Sequence, residues 1–130
     1  MKQSVPLEFF PAPDAAGMKL PFSEAVRAGD LLFLSGQLGI RPDTRRLAEG
    51  GIRAQTEQTM ENIRATLARH GLTMDRVVKC TIFLADMGEW SAMNEVYVRY
   101  FPRKLPARSA LGSSGLALGA RVEIECIAAF

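Results

Sequence analysis

From Val122 to Ala128 the chain alternates without a break. Val122, Ile124, Cys126 and Ala128 fall on one parity, and Glu123, Glu125 and Ile127 on the other. A period of two belongs to a strand with one face on a core, because successive side chains point to opposite faces of a sheet. Such a strand obliges the chain to form a sheet. It must pack apolar groups on the Val122 face and carry two carboxylates on the other. Val78, Cys80, Ile82 and Leu84 repeat the pattern against Lys79 and Thr81, and Phe83 breaks the polar parity.

Elsewhere the period changes. Between Ile52 and His70 the apolar residues Ile52, Met60, Ile63 and Leu67 fall at helical spacing, and Gly71 is placed to cap the carboxyl end. A second helix is expected between Glu89 and Phe101, with Trp90, Met93, Tyr97 and Tyr100 or Phe101 on its core side and Pro102 ending it. Phe22–Arg27 and Leu31–Ser35 read as a hairpin turned at Ala28-Gly29-Asp30, and Arg41–Gly51 as a turn region. Strands also begin near Ala107 and Arg121. The order strand, strand, helix, strand, helix, strand, strand fits an α+β two-layer sandwich, a mixed sheet with both helices on one face. The opposite face would then hold Phe83, Ile127 and Ala129 among the charges, and an uncovered apolar face calls for a closed oligomer with a charged site at its seams.

At 130 residues, 48% of them hydrophobic, the chain is expected to form a single domain, 1–130, with 1–17 as an extended N-terminal segment. The net charge of +2, from 16 basic and 14 acidic residues without a run, offers nucleic acid no basic stripe. Prolines 6, 11 and 13 interrupt any early apolar run, so neither a signal peptide nor a membrane span is expected, and a soluble, cytoplasmic protein is. Cys80 and Cys126 sit in apolar runs and read as buried, reduced thiols rather than a redox pair. One histidine, His70, and no Cys-x-x-Cys leave too few ligands for zinc, and no metal is expected. Gly112-Ser113-Ser114-Gly115 lacks the lysine and helix start of a phosphate loop and reads as a flexible connection.

The chemistry centres on Pro106-Ala107-Arg108-Ser109 and Glu123, which read as lying on neighbouring strands. A guanidinium grips a carboxylate with two parallel hydrogen bonds, and a carboxylate close by holds or deprotonates a water. The pair points to hydrolysis of a small acid. Taken by itself, an arginine and a glutamate so placed also serve as an interface ion pair.

Ser35-Gly36-Gln37, Asn94 with Tyr97, Pro106-Ala107-Arg108-Ser109, and Val122-Glu123-Ile124-Glu125 followed by Ile127-Ala128 together resemble the Rid family, the reactive intermediate deaminases, also called YjgF-like or L-PSP endoribonuclease-like. The likeness runs from about Leu20 to Phe130. It implies a chorismate-mutase-like fold, a homotrimer and clefts between subunits. It also implies cofactor-free hydrolysis of 2-imino acids or enamines, such as 2-aminoacrylate and 2-iminopropanoate, to 2-oxo acids and ammonia. By the same resemblance Arg108 pairs with the substrate carboxylate, Glu123 places the water, Ser35 and Asn94 line the cleft, and Gly36 admits a close approach of backbone. Ala110 stands where many members have cysteine, and Phe22 where many have tyrosine; Phe22 offers only an apolar surface, so a bulkier or more hydrophobic imino acid is expected in the pocket. Two other readings accompany the family: a non-catalytic trimer that binds small carboxylates, and an endoribonuclease or translation inhibitor.

Overall fold

The computed structural model describes residues 3–13 and 19–130. Its strands are β1 (Leu7–Pro11), β2 (Ser23–Ala28), β3 (Leu31–Leu34), β4 (Gln37–Leu38), β5 (Val77–Leu84), β6 (Ala107–Gly112) and β7 (Val122–Ala129). Its helices are α1 (Gly51–Arg69) and α2 (Trp90–Tyr97). The strands form one mixed sheet in the order β1-β2-β3-β7-β5-β6, with β4 continuing along β7 past the end of β3. Every pairing is antiparallel except β5 with β6, which α2 joins as a crossover. Both helices pack on this sheet, the two-layer α+β arrangement expected. Two strands are additions to it. β1 lies within the expected N-terminal segment but is paired to β2, while residues 1, 2 and 14–17 of that segment lie outside the described residues.

Local chemistry accounts for the elements. β2 and β3 turn on Gly29-Asp30, and Gly29 takes φ +59°, the positive value a two-residue hairpin demands of its first residue. The end of α1 is a Schellman motif: Gly71 (φ +73°) donates to the Ala68 carbonyl and Leu72 to that of Leu67, which closes the helix where the glycine was expected to close it. Met60, Ile63 and Leu67 are fully buried. Each contributes about 1.5–3 kcal/mol by leaving water. Thr56, Thr59 and Thr66 share their buried side, and Thr59 and Thr66 bond back to the carbonyls of Gln55 and Asn62.

Two expected core residues prove exposed. The register between β5 and β7 shifts between Val77 and Lys79, so Val77 takes the inward position and Val78, expected there, is 45% exposed. On α2 the expected stripe holds for Met93, Tyr97, Tyr100 and Phe101, but Trp90 opens the helix at 42% exposure. The helix passes into a tighter turn, Val98–Tyr100, before Pro102.

The last strand keeps its parity throughout: Val122, Ile124, Cys126 and Ala128 are buried, and Glu123, Glu125 and Ile127 face away from the helices. On that far face Phe9, Val26, Phe33 and Ile127 are successive cross-strand neighbours, as are Leu7, Ala28, Leu31 and Ala129. Leu7, Phe9, Leu31 and Phe33 are exposed in the single chain. Two apolar rows therefore cross four strands with nothing from this chain above them among the described residues.

Candidate functional site

Contrary to expectation, Arg108 and Glu123 are not on neighbouring strands. β5 lies between them, with Cys80 paired to Arg108 on one side and Phe83 paired to Glu123 on the other. Two strand spacings and three residues of rise separate their Cα atoms by about 14 Å. They also face opposite ways. Arg108 shares a face with Cys80, toward the helices, and Glu123 shares one with Phe83, away from them. The expected site residues fall into two groups.

The first gathers around Arg108. Its Nη1 donates to Asn94 Oδ1 at 2.7 Å. Its guanidinium carbon lies 5.0 Å from the centre of the Tyr97 ring and 5.7 Å from that of Trp90. Trp90, Asn94 and Tyr97 stand at i, i+4 and i+7 on α2, one helical face, and that face meets the edge strand β6 at Arg108. One N–H of the guanidinium is spent on Asn94, which fixes the plane of the fork for a ligand. Tyr97, quoted for the family pattern, and Trp90, expected in the core, thus both belong to the surroundings of the arginine. The i, i+4 spacing of Trp90 and Asn94 was the available signal. The Tyr97 hydroxyl is buried beside the Cys80 thiol with no protein group at hydrogen-bond geometry, and burial pushes its pKa far up.

The second group lies along the chain that runs from β2 and β3 to Glu123. The Ser35 hydroxyl donates to the Ser23 carbonyl at 2.6 Å, and the Ser35 N–H to that of Glu24 at 3.0 Å, which ties the turn after β3 to the start of β2. Phe22, the residue before β2, is 51% exposed. Gly36 follows, and a Cβ there would stand 2.2 Å from Oε2 of Glu123. The glycine is therefore needed to seat the carboxylate, a tighter requirement than the expected approach of backbone to ligand. β4 then pairs Leu38 with Glu123. Burial first, and then the like charge of Glu125, raise the pKa of Glu123. Such a carboxylate takes and returns a proton nearer neutrality than an exposed one does.

Two hollows of the single chain contain neither group. One, about 210 Å³, lies among Glu57, Glu61, Arg64 and Tyr100, and the other, about 180 Å³, lies on the far sheet face among Phe33, Lys79, Thr81 and Glu125. No cluster of three or more histidine, cysteine or acidic side chains fit to hold a metal occurs among the described residues. No described helix is long and apolar enough to cross a membrane.

Comparison with known proteins agrees with this arrangement of elements. The family model Endoribonuclease L-PSP matches residues 12–130. Reactive Intermediate Deaminase A, chloroplastic, of Arabidopsis thaliana is 44% identical over 117 residues, 90% of this chain and 61% of that protein. The 2-iminobutanoate/2-iminopropanoate deaminase of Mus musculus is 40% identical over 117 residues, 90% of this chain and 84% of that one. Among solved structures, the Rid-family protein YyfA from Yersinia pestis superposes with a TM-score of 0.87 at 39% identity, covering 96% of this chain and all of the other. The chain belongs to the Endoribonuclease L-PSP family, the reactive intermediate deaminase (Rid, YjgF-like) family.

Proposed function

We propose that this protein hydrolyses 2-imino acids, and the enamines that tautomerise to them, to 2-oxo acids and ammonia in clefts between the copies of a homotrimer. One observation carries the reading: an arginine held ready by Asn94 and a glutamate of raised pKa seated on Gly36 lie on opposite faces of one sheet. A single small ligand meets both only when Arg108 of one copy approaches Glu123 of another. The two uncovered apolar rows on the far face supply the burial that such an assembly needs. The deaminase named in mouse and the one named in Arabidopsis support the reaction class.

The chemistry follows from the two groups. Arg108 takes the substrate carboxylate with its free N–H groups and so aims the adjacent C=N carbon. Glu123 accepts a proton from water as the water oxygen bonds to that carbon, and it delivers the proton to nitrogen, leaving a neutral carbinolamine. When the C–N bond breaks its electron pair goes to nitrogen, which departs as ammonia. The carbinolamine hydroxyl gives its proton to Glu123, which passes it to the leaving nitrogen. Water and imine are thereby converted to oxo acid and ammonia, and the carboxylate ends as it began.

Phe22 favours a second reading, a trimer that binds 2-oxo or imino acids without turning them over, because it presents a ring and no hydroxyl where many members have tyrosine. The test separates the two. With imino acids generated in situ by an amino-acid oxidase, the protein is expected to accelerate oxo-acid formation, and Arg108→Ala to remove the acceleration. Equal rates with and without protein across several side chains, together with thermal stabilisation by 2-oxo acids, establish binding alone. Sedimentation at the mass of one chain would rule out the shared cleft.

A further inference from the structure

Cys80 and Cys126 are separated by 45 residues in sequence and are direct partners in the β5–β7 ladder. They are the only cysteines of the chain. Their side chains share the helix-facing side of the sheet, both buried, with the sulfurs 3.0 Å apart. Directly opposed residues of antiparallel strands have Cα atoms about 4.5–5.5 Å apart, inside the range of about 4.4–6.8 Å that a disulfide spans. A bond of about 2.05 Å therefore requires each sulfur to move by only about 0.5 Å. Both thiols are free and buried, as their apolar surroundings led one to expect, and the register between the strands adds that they face each other.

We propose that Cys80 and Cys126 form a reversible cross-strand disulfide, a site of oxidation by hydrogen peroxide that lies beside Arg108. The two thiols are not equivalent. Cys80 is the partner of Arg108 on β6 and its thiol lies beside the Tyr97 hydroxyl, so a cation and a hydroxyl stand near it; the contact with Cys126 first, and then these neighbours, lower its pKa. Cys126 keeps its proton, raised by the same contact and by burial. Cys80 is therefore the attacking sulfur. Its thiolate displaces hydroxide from the peroxide: an S–O bond forms, the O–O bond breaks, and the hydroxide takes up a proton. Cys126 then attacks the Cys80 sulfur, the S–S bond forms, the S–O bond breaks, and a second water leaves. Two thiols and one hydrogen peroxide become one disulfide and two waters. Because both sulfurs are buried, the oxidant must be small and uncharged, as hydrogen peroxide is.

The consequence reaches the anchor through Tyr97. Drawing Cys80 toward β7 takes its sulfur away from the phenol, whose ring supports the Arg108 guanidinium. Resting on the reading of Arg108 as the carboxylate anchor, the oxidised form is expected to bind 2-oxo acids several-fold more weakly than the reduced form.

The experiment treats the purified full chain with hydrogen peroxide and measures intact mass without reductant. The expected result is a loss of about 2 Da per chain, the two thiol hydrogens, restored by dithiothreitol. Cys126→Ala and, separately, Cys80→Ala should abolish that loss, and either variant suffices if the other fails to fold. Two thiols that persist in wild type, or uptake of oxygen without the 2 Da loss, would overturn the disulfide. Calorimetric titration of 2-oxobutanoate into both forms reads the coupling, and equal affinities would overturn it. The mass measurement does not depend on deaminase activity, so failure of the proposed reaction and failure of the disulfide are distinguished.

Discussion

Gly36→Ala tests the seating of Glu123 without altering its charge. A Cβ at position 36 would stand 2.2 Å from Oε2, 2.9 Å from Cδ and 3.1 Å from Cγ of Glu123, where ordinary contact begins at 3.4 Å. The carboxylate oxygen must therefore retreat by about 1 Å. Gly36 does not have a positive φ, so the methyl group adds no backbone strain. A glutamate side chain yields by adjusting its torsions at about 0.5–1.5 kcal/mol. A stability loss of about 1 kcal/mol lowers Tm by about 4 °C in a domain of this size. The chemistry is far less forgiving. A displacement of about 1 Å in a positioned catalytic group costs about 100-fold, or about 2.7 kcal/mol of transition-state stabilisation.

Gly39→Ala is the matched control. Its Cβ would meet the Gln55 carbonyl oxygen at 2.5 Å and the Gln55 Cα at 2.9 Å, both backbone of α1, which has no torsion to turn aside. Overpacking of that kind costs about 1–3 kcal/mol; it bears directly on α1, and on Glu123 only at one remove, through the neighbouring Leu38 of β4. Oxo-acid formation and thermal melts of the two variants should diverge: Gly36→Ala loses mainly kcat/KM, and Gly39→Ala mainly Tm. Wild-type kcat/KM in Gly36→Ala, with the melt lowered, would refute the placement of Glu123 as the water-holding group.

Arg108→Lys keeps the charge but gives up the fork and the Asn94 hydrogen bond, so kcat/KM is expected to fall about 10- to 100-fold, chiefly through KM. Glu125→Gln removes a charge that raises the pKa of Glu123, and the acid limb of the pH profile of kcat/KM should move to lower pH. Since the folded pKa of Glu123 is raised, the folded chain binds its proton more readily than the unfolded chain does. Stability therefore falls as pH rises from the unfolded value through the folded one, and urea titrations of Glu123→Gln should show that slope removed. Phe22→Tyr supplies one hydroxyl at the proposed cleft. Worth about 0.5–1.5 kcal/mol, it should shift the ratio of kcat/KM between the smallest and the bulkiest imino acids by about 2- to 10-fold.

Much of the fold was legible in the sequence because single elements announce themselves. The parity of Val122–Ala128 needs no partner to be read, and Gly71 closes α1 by its own backbone conformation. Val78 shows the limit. Val77 and Val78 are equally apolar, and only the shifted ladder against β7 decides which one turns inward. Trp90 shows another: an aromatic at helical spacing reads as core, whereas the first residue of α2 is half exposed and lies near the Arg108 guanidinium.

Candidate residues could be named from the sequence, but their arrangement could not. Strand parity placed Glu123 on the face away from the helices, but the same rule places Arg108 only once its neighbour is known, and that neighbour comes from a crossover. β5 and β6 are parallel and joined through α2, which puts Arg108 beside Cys80 and toward the helices. β7, the last strand in sequence, inserts between β3 and β5. That insertion sets Glu123 and Arg108 on the two sides of β5, and it also sets Cys126 against Cys80. One pairing thus decides two chemistries. It divides the proposed hydrolytic residues so that a second copy must complete them, and it brings together two thiols that 45 intervening residues had kept from being read as a pair.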